Sequence, residues 1–206
     1  MSGAGKPPVI PDTETMAFYD RAATDYADRF KGTGRPDQDL LAFMDALTPG
    51  ATVLDLGCGP GQAAALLARA GFAVEATDAS AGMVRTARER YGVEARQATF
   101  DDLDAEGRFD GIWANFCLLH AARTAFPGHL ARIYRALKPG GVLHLGMKTG
   151  TGEARDKLGR FYTFYTAGEL TGHLVAAGFE VTGTREFESP GMAGDLSPGI
   201  AILARA

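Results

Sequence analysis

The sequence predicts an α/β protein: a doubly wound sheet of seven strands, mostly parallel, with helices on both faces and an antiparallel hairpin at the C-terminal end. Three observations predict it. Short apolar runs alternate with helical stretches of ten or so residues, the pattern of strand–helix–strand units and a parallel sheet. Glycine is abundant, 27 of 206 residues, and gathers at the ends of the apolar runs, where loops turn tightly. The last two apolar runs have no helix between them and so must pair antiparallel.

In chain order, residues 1–10 are a Gly/Pro-rich tail expected to be flexible. Residues 11–30 repeat Phe18, Ala22, Tyr26 and Phe30 every four positions and read as a helix. A second helix, 37–47, stops at Thr48-Pro49-Gly50. Strand 51–56, helix 62–70, strand 72–77 and helix 80–91 follow, with Gly71 and Gly92 closing the helices. Residues 93–100 and 109–115 are two further strands. Helix 126–137 ends at Lys138-Pro139-Gly140-Gly141, before strand 142–147. Residues 148–165 read as a polar, irregular loop. Helix 167–177 and strand 179–187 come next, then a turn over 189–198 and a last strand, 200–204.

A length of 206 residues suits one domain at roughly 150 residues per domain, here 11–206 with 11–48 as N-terminal cap helices. Hydrophobic residues are 46% and charged residues 22%, a globular balance. Lys plus Arg number 21 against 25 acids, a net charge of -4, which argues against a sequence-independent nucleic-acid binder. No apolar run is long enough to span a membrane. The N-terminus lacks the apolar stretch of a signal peptide. Two cysteines, Cys58 and Cys117, make neither a disulfide framework nor a structural zinc site. The expected setting is cytoplasmic, with no metal.

The informative stretch is Val53-Leu54-Asp55-Leu56-Gly57-Cys58-Gly59-Pro60-Gly61-Gln62. Strand, glycine turn and helix follow in that order, so a ligand can approach bare backbone at a helix N-terminus. Gly59-Pro60-Gly61-Gln62-Ala63-Ala64 also fits a dinucleotide-binding pattern. Asp55 speaks against a pyrophosphate there, because an acid repels a diphosphate and suits an ammonium group.

With Asp78 closing Glu75-Ala76-Thr77-Asp78, Phe109-Asp110-Gly111-Ile112-Trp113-Ala114-Asn115, and the Leu137-Lys138-Pro139-Gly140-Gly141 turn, the chain resembles class I S-adenosylmethionine-dependent methyltransferases over nearly its whole length. The resemblance implies a Rossmann-like fold, S-adenosylmethionine as cofactor and S-adenosylhomocysteine as product. It places Gly57, Cys58, Gly59 and Gly61 around the cofactor, Asp78 on the ribose hydroxyls with Ala79 beside it, and Met83 against adenine or ribose. Many relatives carry an acid for the adenine amino group where this chain has Thr99, so the Phe100 N–H and the Asp101 carboxylate are expected to hold adenine. Asn115 and Phe116, after the fourth strand, are expected beside the cofactor. Phe18-Tyr19-Asp20-Arg21-Ala22-Ala23-Thr24-Asp25-Tyr26 is similar to the family's capping helix, which brings Tyr19 and Tyr26 toward the methionine carboxylate; packing explains their spacing equally well.

His120 lies just past the fourth strand and is the candidate general base; the competing role is a packed imidazole that fixes the loop. His129, His144 and His173 show no metal-ligand spacing and read as structural, as does Cys117. The 148–165 segment carries four basic residues, two acids and clustered aromatics, and a loop of that length is commonly a lid or binding loop. Lys148, Arg155, Arg160 and Tyr162 are its candidate contacts to a small-molecule acceptor bearing an anionic group. Two other functions remain open: a non-catalytic module that binds the cofactor or its product, and a nicotinamide-dependent oxidoreductase.

Overall fold

The computed structural model describes residues 11–206 apart from 32, 33 and 193. The expected tail, 1–10, lies outside the described residues. Helix α1, Thr13–Arg29, starts at Asp12, whose carboxylate accepts from the Thr15 N–H at 2.9 Å. That satisfies a donor no helical carbonyl reaches. Asp37 does the same for α2, Gln38–Asp45. Strand β1 (Thr52–Leu56), α3 (Gln62–Arg69), β2 (Ala73–Asp78) and α4 (Ala81–Tyr91) form the first two units. The α4 helix opens on Ser80 and closes on Gly92, whose left-handed φ of 66° lets the chain leave without a Cβ clash. Then come β3 (Arg96–Gln97), β4 (Phe109–Asn115), α5 (Phe126–Ala136), β5 (Leu137–Lys148), β6 (Glu153–Arg155), β7 (Phe161–Thr163), α6 (Ala167–Ala176), β8 (Glu180–Pro190) and β9 (Leu196–Arg205).

The main sheet has seven strands in the order β3-β2-β1-β4-β5-β9-β8. Pairing is parallel from β3 to β5, and β9 runs antiparallel to both β5 and β8. The chain winds outward from β1 in one direction and from β4 in the other, which opens a crevice at the carboxyl ends between them. Alternate residues feed two cores. Leu54, Ile112, Leu143 and Leu145 pack with Phe126, Leu130 and Ile133 of α5 and Leu170 of α6. Val53, Trp113 and Val142 point the other way, onto Leu40 and Phe43 of α2 and Leu67 of α3. Burial on both faces is why these strands read as near-continuous apolar runs.

Four expectations change. The strand expected over 93–100 shrinks to Arg96–Gln97, because Thr99 and Asp102 form a reciprocal cap that turns the chain into a short 3-10 helix, Phe100–Asp102. Residues 137–141 are not a turn outside the sheet: Leu137 pairs with Phe109, and the ladder resumes at Val142 opposite Gly111 after a register shift. The final hairpin is longer than expected and pairs out to Pro190 and Leu196, so its turn spans only 191–195. The 148–165 segment is not irregular; β6 and β7 pair antiparallel, Glu153 with Thr163 and Arg155 with Phe161.

Helix α1 lies over the strand ends because α4 lets it come close. A Cβ on Gly82 would sit 2.4 Å from the Asp20 carbonyl oxygen, so only glycine permits the contact. The Asp20 carboxylate then accepts from Ser80 Oγ at 2.7 Å and from the Gly82 N–H at 3.0 Å. No helix among the described residues is long and apolar enough to cross a membrane.

Candidate active site

The crevice is a cavity of about 840 Å³, walled by α1, the carboxyl ends of β1, β2, β4 and β5, and the β6–β7 arm. Asp55 in β1 is 2% exposed, and its carboxylate accepts from the Ala64 N–H in the first turn of α3 at 3.0 Å. Asp78 ends β2 and accepts from the Gly59 and Ser80 N–H groups, each at 2.8 Å. Each carboxylate keeps lone pairs for a ligand. Burial pushes Asp55 up to about 7 and Asp78 up to about 6.

The glycine turn divides its work. Gly57 has φ 67°, and a Cβ there would lie 2.3 Å from Cys117 Cβ. Gly59, φ 53°, lines the cavity where a Cβ would meet no protein atom within 4 Å, so it leaves bare backbone for a ligand. Gly61 differs from expectation. It is absent from the cavity wall; its missing Cβ makes room for Ala87 at 2.9 Å and Val93 at 3.3 Å, so it serves the packing of α3 on α4. Cys58 lines the cavity with its thiol pushed up by burial, which keeps it an inert neutral group.

Ala79, Met83, Thr99, Phe100 and Asp101 also line the cavity. Thr99 Oγ1 donates to Asp102 Oδ2 at 2.9 Å within the cap. Asn115 Oδ1 accepts from His144 Nε2 at 3.1 Å, and His144 stacks on Trp113 at 3.6 Å. Phe116 is the one non-glycine residue with positive φ among the described residues, at 54°. Its N–H donates to the Gly146 carbonyl at 2.9 Å, which holds the strained turn.

His120 is at the cavity, but its hydrogen bonds differ from those of a free base. Nδ1 donates to the Phe161 carbonyl at 2.6 Å, because a carbonyl only accepts. Nε2 therefore accepts, from the Tyr19 hydroxyl at 2.8 Å. Burial holds the imidazole down at about 4, so it is neutral near pH 7. The Tyr19 oxygen in turn accepts from Arg160 Nη1 at 3.1 Å.

Arg160 is 2% exposed, held by Asp156 through Nε at 3.0 Å and Nη2 at 2.6 Å, and lies among the Phe18, Tyr19 and Tyr162 rings. Lys148, ending β5, reaches Ser197 Oγ at 3.2 Å and sits 4.7 Å from the Tyr162 ring centroid. Tyr162 and Tyr26 complete this wall. Arg155 also lines the cavity, and its guanidinium pairs with Asp12 at 2.6 Å and Glu14 at 3.2 Å, tying the arm to the start of α1. Sequence reading missed Asp20, though it lies beside Tyr19 in the capping motif. It also missed Phe187 and Met192 of the hairpin, which join the wall from 70 residues or more beyond β4 without a local signal.

Residues 53–141, which carry the glycine turn and both acids, match the family described as Methyltransferase domain. That stretch is similar to a methyltransferase domain. It is similar to trans-aconitate 2-methyltransferase of Methylobacterium nodulans, 38% identical over 132 residues that cover 61% of this chain and 49% of that protein. The chain spans about half the length of the curated relatives it matches. The fold is that of Burkholderia thailandensis 1,6-didemethyltoxoflavin-N1-methyltransferase, whose structure holds 1,6-didemethyltoxoflavin and S-adenosylhomocysteine. That match has TM-score 0.73 and 24% identity and covers 98% of this chain and 92% of that one. The cyclase SpnF has the same fold at TM-score 0.71 and 20% identity, over 96% of this chain and 97% of that one, so fold alone does not name the reaction.

Proposed function

We propose that this chain transfers a methyl group from S-adenosylmethionine to a small acceptor that carries an anionic group. The observation that carries the reading is one cavity with Asp55 and Asp78 on one wall and Lys148 and Arg160 on another. Asp55 suits the cofactor's ammonium group and Asp78 its ribose hydroxyls, and the open backbone at Gly59 leaves room for it. Met83, Phe100 and Asp101 would hold the adenine, and Tyr19 and Tyr26 would face the methionine end. When bound, the cofactor supplies an electrophilic methyl carbon on a sulfonium.

The residues of the chain orient the acceptor and keep water out. Lys148 and Arg160 draw an anionic group to the cavity, and Phe116 and Tyr162 wall it with apolar surface. His120 and Tyr19 keep their mutual hydrogen bond, so the acceptor that fits is one already ionised at neutral pH or offering a free lone pair. Trans-aconitate, named in the relative above, is such an anion. On this reading the protein works in the cytoplasm, where its two unpaired thiols persist.

The occupied Nε2 of His120 also favours a second reading, a module that binds the cofactor or its product without turnover. Calorimetric titration with S-adenosylmethionine, S-adenosylhomocysteine and NADH separates the cofactors. Binding of the two sulfur compounds alone is expected; tight NADH binding with no response to the others would overturn both readings. A screen of small carboxylates for methyl transfer then decides between enzyme and module.

A further inference from the structure

Trp113 and Asn115 of β4 share one face of the sheet with His144, Gly146 and Lys148 of β5, Trp113 opposite His144 and Asn115 opposite Gly146. His144 is 2% exposed and lies flat on Trp113, at 3.6 Å between centroids and 15° between planes. Burial holds it down at about 3, so it is neutral. An apolar ring would stack there as well; what the imidazole adds is a hydrogen bond. Its Nε2 is 3.1 Å from Asn115 Oδ1, and an amide oxygen only accepts, so Nε2 carries the proton. Gly146 makes room for this bond, since a Cβ there would sit 2.1 Å from Oδ1. With its oxygen taken, the Asn115 amide keeps two N–H donors that no described residue accepts, and Asn115 lines the cavity. Lys148 comes two residues after Gly146 on the same face, about 7 Å further along the strand, and also lines the cavity. Among the described residues its ammonium bonds to the Ser197 hydroxyl, so its charge is left for a ligand.

We propose that the Asn115 amide and the Lys148 ammonium together bind a carboxylate of the methyl acceptor, and that His144 is the positioning residue that turns the amide's donors toward it. This deepens the function proposed above and rests on its anionic acceptor. A carboxylate accepts from an amide N–H and from an ammonium at once, and hydrogen bonds to a charged group are the stronger kind. A reversed amide would set its oxygen against the carboxylate, two acceptors face to face. His144 penalises that reversal, because its N–H would then meet the amide's own N–H groups.

The test titrates fumarate, citrate and trans-aconitate by calorimetry into the full chain saturated with S-adenosylhomocysteine. At least one should bind the wild type, and Asn115→Asp, which sets a carboxylate against a carboxylate, should lower that affinity by about tenfold or more. His144→Phe keeps the stack on Trp113 and should lower it by about threefold to tenfold, with S-adenosylhomocysteine affinity within about twofold of wild type. Added to Asn115→Ala, His144→Phe should cost nothing further, because the histidine acts through the amide; a purely structural role would give additive losses. Gly146→Ala, whose methyl displaces the amide, should reproduce the loss even where His144→Phe folds poorly. Wild-type carboxylate affinity in Asn115→Asp, His144→Phe or Gly146→Ala, or additive losses in the double variant, overturns the proposal and leaves the anionic acceptor standing. A wild type that binds S-adenosylhomocysteine but none of these carboxylates overturns the proposal and the anionic acceptor, and keeps the cofactor. Failure to bind S-adenosylhomocysteine removes the cofactor too.

Discussion

Asp55 and Asp78 sit at about 7 and about 6 because burial penalises their charged forms. Between their ordinary value of 3.8 and those raised values the folded chain holds protons that the unfolded chain has lost. They therefore cost stability as pH rises through that window. His120 and His144, held down at about 4 and about 3, act in the opposite sense and add stability as pH rises toward 6.5. Whole-protein stability mixes the two, so ligand affinity is the cleaner readout. An ammonium and two ribose hydroxyls bind the ionised acids. S-adenosylhomocysteine affinity should thus rise about tenfold or more from pH 5.5 to 7.5, at one tenfold step per pH unit below the raised value. Asp55→Asn, which still accepts the Ala64 N–H, should flatten the upper part of that rise. Calorimetry at the two pH values checks it; a wild type with constant affinity would remove Asp55 from the cofactor site.

Three elements meet in the roof of the cavity: α1, the β6–β7 arm and the loop after β4. Their joints are unequal. Arg155 on Asp12 is an exposed ion pair, and such pairs contribute little. Arg160 is a buried cation whose carboxylate partner is Asp156. Removing that partner leaves a guanidinium without compensation beneath the Phe18, Tyr19 and Tyr162 rings. Asp156→Ala should cost on the order of 2–3 kcal/mol, the partial solvent contact of Asp156 having been discounted. Arg155→Ala should leave the urea midpoint almost unchanged. Equal losses in the two variants would mean that the Asp12 joint holds the arm as firmly as the Arg160 joint. The Phe161 N–H also donates to Thr15 Oγ1 at 2.8 Å, so the arm is sewn to α1 on both sides of Arg160.

The main sheet is parallel from β3 to β5 with its switch point between β1 and β4, and every predicted site residue but Gly61 lines the cavity there. A ligand that binds only the folded form stabilises it by about 2.7 kcal/mol at a hundred times its dissociation constant. For a chain of this size that is a rise of about 5–10 °C in Tm. S-adenosylhomocysteine should give such a rise and NADH none, measured by thermal unfolding; the reverse pattern would rule out the proposed cofactor. Much of this was legible in the sequence because it is local. The spacing of Asp55, Gly57 and Asp78 is set within two strand–turn–helix units, and alternating apolar runs announce strands buried on both faces. The β6–β7 pair was not legible, since three-residue strands in a polar segment carry no period. Nor were the partners of single side chains. Arg155 finds Asp12 143 residues away, and His120 finds Tyr19 across 101. The sequence by itself determined the sheet, its winding and the turn that opens a site. Only the tertiary structure decided which cations pair with protein and which face the cavity, because each side chain takes the partner that folding brings within reach, and distance along the chain does not encode that reach.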